Sequence, residues 1–331
     1  MSRRLPPAVL HAVLWLDYAV VMPAAAALSW RLALWWGRRR GDVMFWWRDV
    51  GRRATAANVA RALGVAPAEA RRIARASFRA QTCEEVETFF FPRLVPAVAR
   101  DFVRVEGAAH LERALARGQG AIVFSYHYGS MCLAMIALAE LGHKVNVLAR
   151  SIAEEENPLH PVVRRYAEGK VAALERFMDR PFILTSAPGA MLKVRRALKQ
   201  GEILYILLSV PPDLARRRAR VRFLGHPAEV PLGAEFIADT TGAPLVPFLV
   251  RRRSDGIGHV LEIGPEVPGP AAGPGALQRC IDDVEGRMAA DPGQFFMWEY
   301  LASFWLDESH ATSYEGAGAG IPSSPRPTIG G

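Results

Sequence analysis

The chain has 331 residues, half of them hydrophobic, with a formal net charge of +8. That length allows one large domain or two small ones, and the apolar content supports both a core and membrane contact. Only four of the 41 basic residues are lysine, and the sequence holds no P-loop, GxGxxG, GxSxG or HExxH, so nucleotide hydrolysis, Rossmann redox chemistry and zincin proteolysis lose their usual support.

The basic excess suits anionic lipid headgroups or phosphate-bearing substrates. No helix-turn-helix, RRM or zinc-finger pattern accompanies it, so nucleic acid is not an expected partner. Cys83, Cys132 and Cys280 are far apart and odd in number. Neither a zinc site nor a disulfide framework is expected, and a reducing, cytoplasm-facing environment fits better.

Residues 8–36 are dense in Ala, Val, Leu and Trp, but Asp17, Pro23 and Arg31 interrupt the run. A transmembrane helix needs about 20 apolar residues, so no clean span is present. Trp30, Trp35, Trp36, Trp46 and Trp47 flank the stretch and Arg38, Arg39 and Arg40 follow it, as at a membrane interface with its basic side toward the cytoplasm. The segment is expected to be a membrane-embedded or interfacial helix.

Helices are expected over 52–63 and 67–90, the second opened by Pro67 and Glu69. Beyond residue 102 short apolar runs alternate with helical stretches. AIVFSY (121–126), KVNVLAR (144–150), ILYILLS (203–209), PLVPFLVRR (244–252) and HVLEIGP (259–265) read as strands. Residues 131–141, 157–169, 189–200, 234–242 and 276–290 read as helices, with 268–275 a linker. This alternation predicts an α/β layer structure. The Gly, Ser and Pro content after residue 312 predicts a disordered tail. The organisation expected is a membrane-associated region (1–48), an α/β domain (49–306) and a tail (307–331).

His127 stands at the end of the apolar run AIVFSY, just before Gly129 and a helix. In α/β folds the carboxyl ends of strands are where ligands bind, and the start of a helix favours anionic groups. Position alone leaves open whether His127 is functional or a structural strand cap.

The run IVFSYHYGSMCLAMIALAELGHKVNVLAR resembles the catalytic segment of the bacterial lipid A late acyltransferases, relatives of the glycerolipid acyltransferases in the lysophospholipid acyltransferase superfamily. That segment is a strand, a His, four residues, an acid and a helix. NVARAL with the helix to Glu87, ALKQGEILYILLSVPPD, VRFLGHPAEVPLGAEFIADTTGAPLVPFLVRR and LQRCIDDVEGRMAADPGQFFMW resemble further family blocks in the same order. The resemblance implies a glycerolipid acyltransferase-like α/β fold and transfer of an acyl group from acyl carrier protein or acyl-CoA to a hydroxyl or amine of a lipid or carrier-bound acceptor. It implies no metal and no cofactor, and a place at the cytoplasmic face of the inner membrane. His127 becomes the general base, because a hydroxyl near pKa 15 needs a base within hydrogen-bond reach. Arg150, after the second strand, becomes a candidate for binding acceptor or thioester, and Ser130 and Tyr128 are candidates by proximity.

The sequence departs from the family at two places. Cys132 stands where the acid should be, and WEYLASFW (298–305) lacks the Trp-x-His-x-Arg pattern. The second departure puts a lipid A precursor in doubt as acceptor. For the first, four readings stand. Asp213 or Glu229 supplies the acid, with Asp213 preferred. Cys132 is itself a nucleophile, giving a thioesterase or acyl-enzyme transferase. The site is degenerate and the protein binds lipid or carrier without catalysis. Cys132 is packing.

Overall fold

A helical layer at the amino terminus leads into a mostly parallel sheet. The computed structural model describes residues 6–94, 102–152, 159–212, 215, 217–253, 258–273 and 275–306. Asp213 and the expected tail (307–331) lie outside them.

Helix α1 (Pro7–Leu28) is 22 residues long, and by length and composition alone it is apolar enough to cross a membrane. Ser29 then turns the chain into extended backbone, and its Oγ accepts the Leu32 N–H at 3.0 Å, capping α2 (Trp30–Trp47). The apolar segment read as one helix is therefore two, because a capping side chain splits it. Asp17, an interruption in the sequence, accepts a hydrogen bond from Trp36 Nε1 at 3.1 Å and pairs with Arg40 of α2. Arg40 also pairs with Glu85.

Helices α3 (Asp49–Leu63) and α4 (Pro67–Glu87) follow, matching the expected pair. A Cβ at Gly41 would stand 2.6 Å from the Arg79 Cα, so α2 crosses α4 in backbone contact. Asp42 reinforces the crossing by accepting from Arg75 Nε at 2.7 Å and from Arg79 through two bonds.

The sheet takes in β1 (Val103–Glu106), β2 (Ala121–Ser125), β3 (Val145–Ala149), β4 (Ile183–Leu184), β5 (Ile203–Leu207), β8 (Leu245–Arg252) and β9 (His259–Ile263). Their order is β1-β9-β8-β2-β5-β3-β4, parallel except for the β8–β9 pair. A separate antiparallel hairpin joins β6 (Arg218–Phe223) to β7 (His226–Pro231). β1, β4 and this hairpin were not read as strands in the sequence.

Strand β2 is buried along its whole length, as a central parallel strand must be. Ala121 and Val123 face one apolar layer with α5 (Ala108–Leu115), α6 (Cys132–Glu140) and α7 (Pro161–Met178). Ile122, Phe124 and Tyr126 face the other, with α8 (Ala190–Lys199), α9 (Gly233–Thr241) and α10 (Ala276–Met288). The result is a three-layer α/β fold with the amino-terminal helices packed on it.

Candidate active site

The segment from His127 to Ser130 joins the end of β2 to the start of α6, and it is held from several sides. The Phe296 N–H donates to the His127 carbonyl at 2.9 Å, and the Gly129 N–H donates to the Gln294 carbonyl at 2.9 Å. Tyr128 forms an isolated antiparallel bridge with Phe295, and its hydroxyl donates to the Asp291 carbonyl at 3.0 Å. Gly129 has φ +55°, and a Cβ there would overlap the Val250 carbonyl oxygen. Only glycine fits both demands. The carboxyl-terminal DPGQFF run is thus the back wall of the His127 loop.

Ser125 pairs with Leu207, and Val147 pairs with Tyr205. Strand β5 lies between β2 and β3, so the chain leaves all three strands at the same height. His127, Ser209 and Arg150 therefore emerge side by side at the carboxyl edge of the sheet. Arg150 is half-buried there.

His127 is half-buried, and Ser209 is fully buried beside it. The Ser209 Oγ accepts the His127 backbone N–H at 2.8 Å and lies 2.8 Å from the ring Nδ1. Desolvation, with the Lys170 ammonium in electrostatic reach, pushes the imidazole pKa down to about 4. The ring is neutral at pH 7, the protonation state that accepts a proton. No sequence signal marked Ser209. It is the last residue of ILYILLS, and its meaning depends on β5 being the neighbour of β2.

Ser130 turns away from His127. Its hydroxyl donates to Glu87, the last residue of α4. Glu87 also pairs with Arg252 and lies 2.9 Å from His259 Nε2. Burial alone would raise the carboxyl pKa, but Arg252 and His259 outweigh it and hold Glu87 well below the carboxylate range. Burial also holds the His259 imidazole below its usual value. Glu87 thus joins α4, the His127 loop, β8 and β9, and the hydroxyls of Ser130 and Tyr128 are both occupied by protein partners.

Cys132 is buried at the start of α6. Burial pushes its thiol up to about 12, and its polar neighbours are Lys170 and Glu84. Lys170 of α7 pairs with Glu84 of α4. Burial opposes the Lys170 charge, but Cys132 and Glu84 outweigh it and hold the ammonium above its usual value. An ion pair supplied by two other helices therefore stands beside the residue that replaces the family's acid. Of the two alternative acids, Glu229 lies on β7 and pairs with Arg218 at 3.5 Å, while Asp213 is outside the described residues.

A second surface is set by α1 to α3. Sixteen large apolar side chains are exposed among the described residues, and twelve of them lie between Val9 and Val50. They border a groove of about 980 Å³ lined by Leu10, Val13, Trp36, Val43 and Trp47 among others. Scattered apolar exposure is ordinary, but a continuous patch marks an interaction surface.

Comparison with known proteins places the chain in a family. The family model described as bacterial lipid A biosynthesis acyltransferase matches residues 4–301. The chain is similar to a phosphatidylinositol mannoside acyltransferase of Mycobacterium tuberculosis (strain ATCC 25618 / H37Rv), at 27% identity over 254 residues, covering 75% of each chain. A histidine at the sheet's carboxyl edge, in a loop braced by the carboxyl-terminal segment, is thus found in a chain that belongs to the bacterial lipid A biosynthesis acyltransferase family and is an acyltransferase.

Proposed function

We propose that the protein transfers an acyl group from a thioester, carried by acyl carrier protein or coenzyme A, to a hydroxyl of a polar membrane lipid, with His127 as general base. The observation that carries this reading is the half-buried imidazole at the carboxyl end of β2, bonded through Nδ1 to Ser209; desolvation favours its neutral form. That bond leaves Nε2 for the acceptor. Nε2 takes the acceptor's proton as its oxygen attacks the thioester carbonyl carbon. The C–S bond then breaks, and the proton on Nε2 passes to the leaving thiolate, which departs as a thiol. No electron carrier is consumed.

A base with pKa near 4 is always available at neutral pH, but its driving force for proton transfer is low. Stabilisation of the oxyanion must therefore contribute. The start of α6, five residues beyond His127, and Arg150 at the neighbouring strand end are the donors we assign to it. Tyr128 and Ser130 hold the loop, Cys132 is packing beside the Glu84–Lys170 pair, and Asp213 keeps no assigned role.

The apolar face of α1 to α3, with Arg31, Arg38 and Arg39 around it, serves as the membrane-docking region (1–48) on the cytoplasmic face of the inner membrane. Residues 49–306 carry the transferase. The mycobacterial relative's name points to an acceptor with both a phosphate and sugar hydroxyls. A related polar lipid suits the arginine-rich surface here.

Mass spectrometry of total lipids from cells expressing wild type, His127→Ala or Cys132→Ala tests the proposal. A product lost only with His127→Ala supports it. Loss with both variants, together with an acyl adduct on Cys132, would replace it with thiol catalysis. No lipid change in either variant would leave a binding protein.

A further inference from the structure

Taking His127 as the base, we infer that Ser209 is the positioning residue that does the work of the missing acid: its Oγ accepts both the backbone N–H and the ring Nδ1–H of His127, fixing the tautomer that leaves Nε2 unprotonated. Both distances are 2.8 Å, and Ser209 is fully buried. The backbone N–H can only donate, so the hydroxyl oxygen is the acceptor in that bond; the ring contact fits either direction, and a base at Nε2 requires the one in which Nδ1–H donates. The two nitrogens belong to one residue and converge on one oxygen. They fix the ring about its Cα–Cβ and Cβ–Cγ bonds, because rotation in either direction breaks the Nδ1 contact while the backbone contact stays.

Among the described residues, the other candidate orienting groups are committed elsewhere. Cys132 is turned to Lys170 and Glu84. Glu87 is bound to Ser130, Arg252 and His259. Glu229 is paired with Arg218. Among the described residues, the one polar side chain hydrogen-bonded to the His127 ring is Ser209.

A hydroxyl orients a histidine as a carboxylate does, but it brings no charge to balance the imidazolium formed during transfer. The site therefore keeps the geometry of an oriented base and gives up much of its basicity. The Lys170 cation disfavours the imidazolium further. The enzyme class this describes works with a weak, permanently neutral base. Its rate should hold far into acid, where a carboxylate-backed histidine would already be protonated and silent.

The test measures steady-state acyl transfer from pH 4 to 9, and ¹⁵N-histidine NMR, on the full chain carrying Ser209→Ala, Ser209→Thr, Ser209→Asp or His127→Ala. With Ser209→Ala, kcat should fall at least about 10-fold at nearly constant KM, but by less than the ~10⁴-fold that a wrong tautomer costs where a carboxylate is the orienter. The His127 Nδ1–H resonance should give way to a mixture of tautomers. Ser209→Thr, which keeps the hydroxyl, should retain both kcat and the Nδ1–H form. Ser209→Asp should move the acid limb of the rate profile upward from about 4 toward the ordinary histidine range, a shift that a merely structural residue would not cause. A Ser209→Ala protein with wild-type kcat, pH profile and tautomer, beside an inactive His127→Ala, would overturn the role of Ser209 and leave the base in place. Full activity in His127→Ala would instead overturn the reading on which it rests.

Discussion

The Ser130 hydroxyl, three residues beyond His127, donates to the carboxylate of Glu87 at the end of α4, and Glu87 in turn pairs with Arg252 at the end of β8. One buried charge thus binds the reactive loop to a helix and to two strands. Removing one partner of such a pair leaves the other buried and uncompensated, at about 3–5 kcal/mol. Glu87→Gln should cost that much in denaturant unfolding at pH 7, and activity should fall with it. The sign of the pH effect follows from the depressed carboxyl. Its contribution is complete above the unfolded value of 4.5, declines below it, and is gone only once pH falls through the much lower folded value. The stability gap between wild type and Glu87→Gln should therefore begin to narrow below about pH 4.5 and still be largely present at pH 4. Equal stability at pH 7 would show that the pair carries no net weight.

Thiol chemistry makes a second test. Burial raises the Cys83 thiol to about 11 and those of Cys132 and Cys280 to about 12. The thiolate is the reactive form. Iodoacetamide at pH 8 should label none of the three in the folded protein and all three in guanidinium. Cys132→Ala should turn over substrate at close to the wild-type rate. Rapid alkylation of Cys132 with matching loss of activity would revive the acyl-enzyme mechanism.

The docking of α1 rests on Asp17, which takes Trp36 and Arg40 as partners. Asp17→Ala leaves Arg40 with Glu85 and with the Tyr18 hydroxyl at 2.9 Å, so the loss is partial. We expect about 1–3 kcal/mol, seen as faster proteolysis at residues 1–30 while the remainder stays folded. Unchanged proteolysis would mean that apolar packing alone seats the helix.

The exposed tryptophans test the membrane surface. Trp35, Trp46 and Trp47 are each exposed. Replacing Trp35 and Trp46 with serine should weaken cosedimentation with anionic vesicles at least about tenfold, given about 25 cal/mol per Å² of apolar area. Raised salt should weaken the wild type as well. Equal partition of the double variant would remove this face from the interface.

Much of the α/β layer was legible because strands buried on both faces read as unbroken apolar runs. AIVFSY and ILYILLS are of that kind, and β2 and β5 lie inside them. His127 stood out because it ends such a run. The hairpin of β6 and β7 went unread, although RARVRF alternates Arg with apolar residues and Gly225 follows with φ +77°. What local pattern does not carry is long-range partnership. Ser209 is 82 residues from His127, and Glu87 is 172 residues from His259. Asp17 looked like a defect in an apolar helix until Arg40 was found beside it. Asp213, the acid favoured on sequence grounds, lies outside the described residues.

The central claim is that His127 accepts the acceptor's proton without help from a thiol. Its most direct test is acyl transfer by the purified full chain in vesicles, with acyl-CoA and acyl carrier protein donors, comparing wild type with His127→Ala from pH 4 to 9. Loss of a positioned general base should cost about 10²–10⁴-fold in kcat with the fold intact by circular dichroism. The wild-type rate should stay level from neutral pH down and decline only as pH approaches about 4. A folded His127→Ala protein that transfers acyl groups at the wild-type rate would contradict the account.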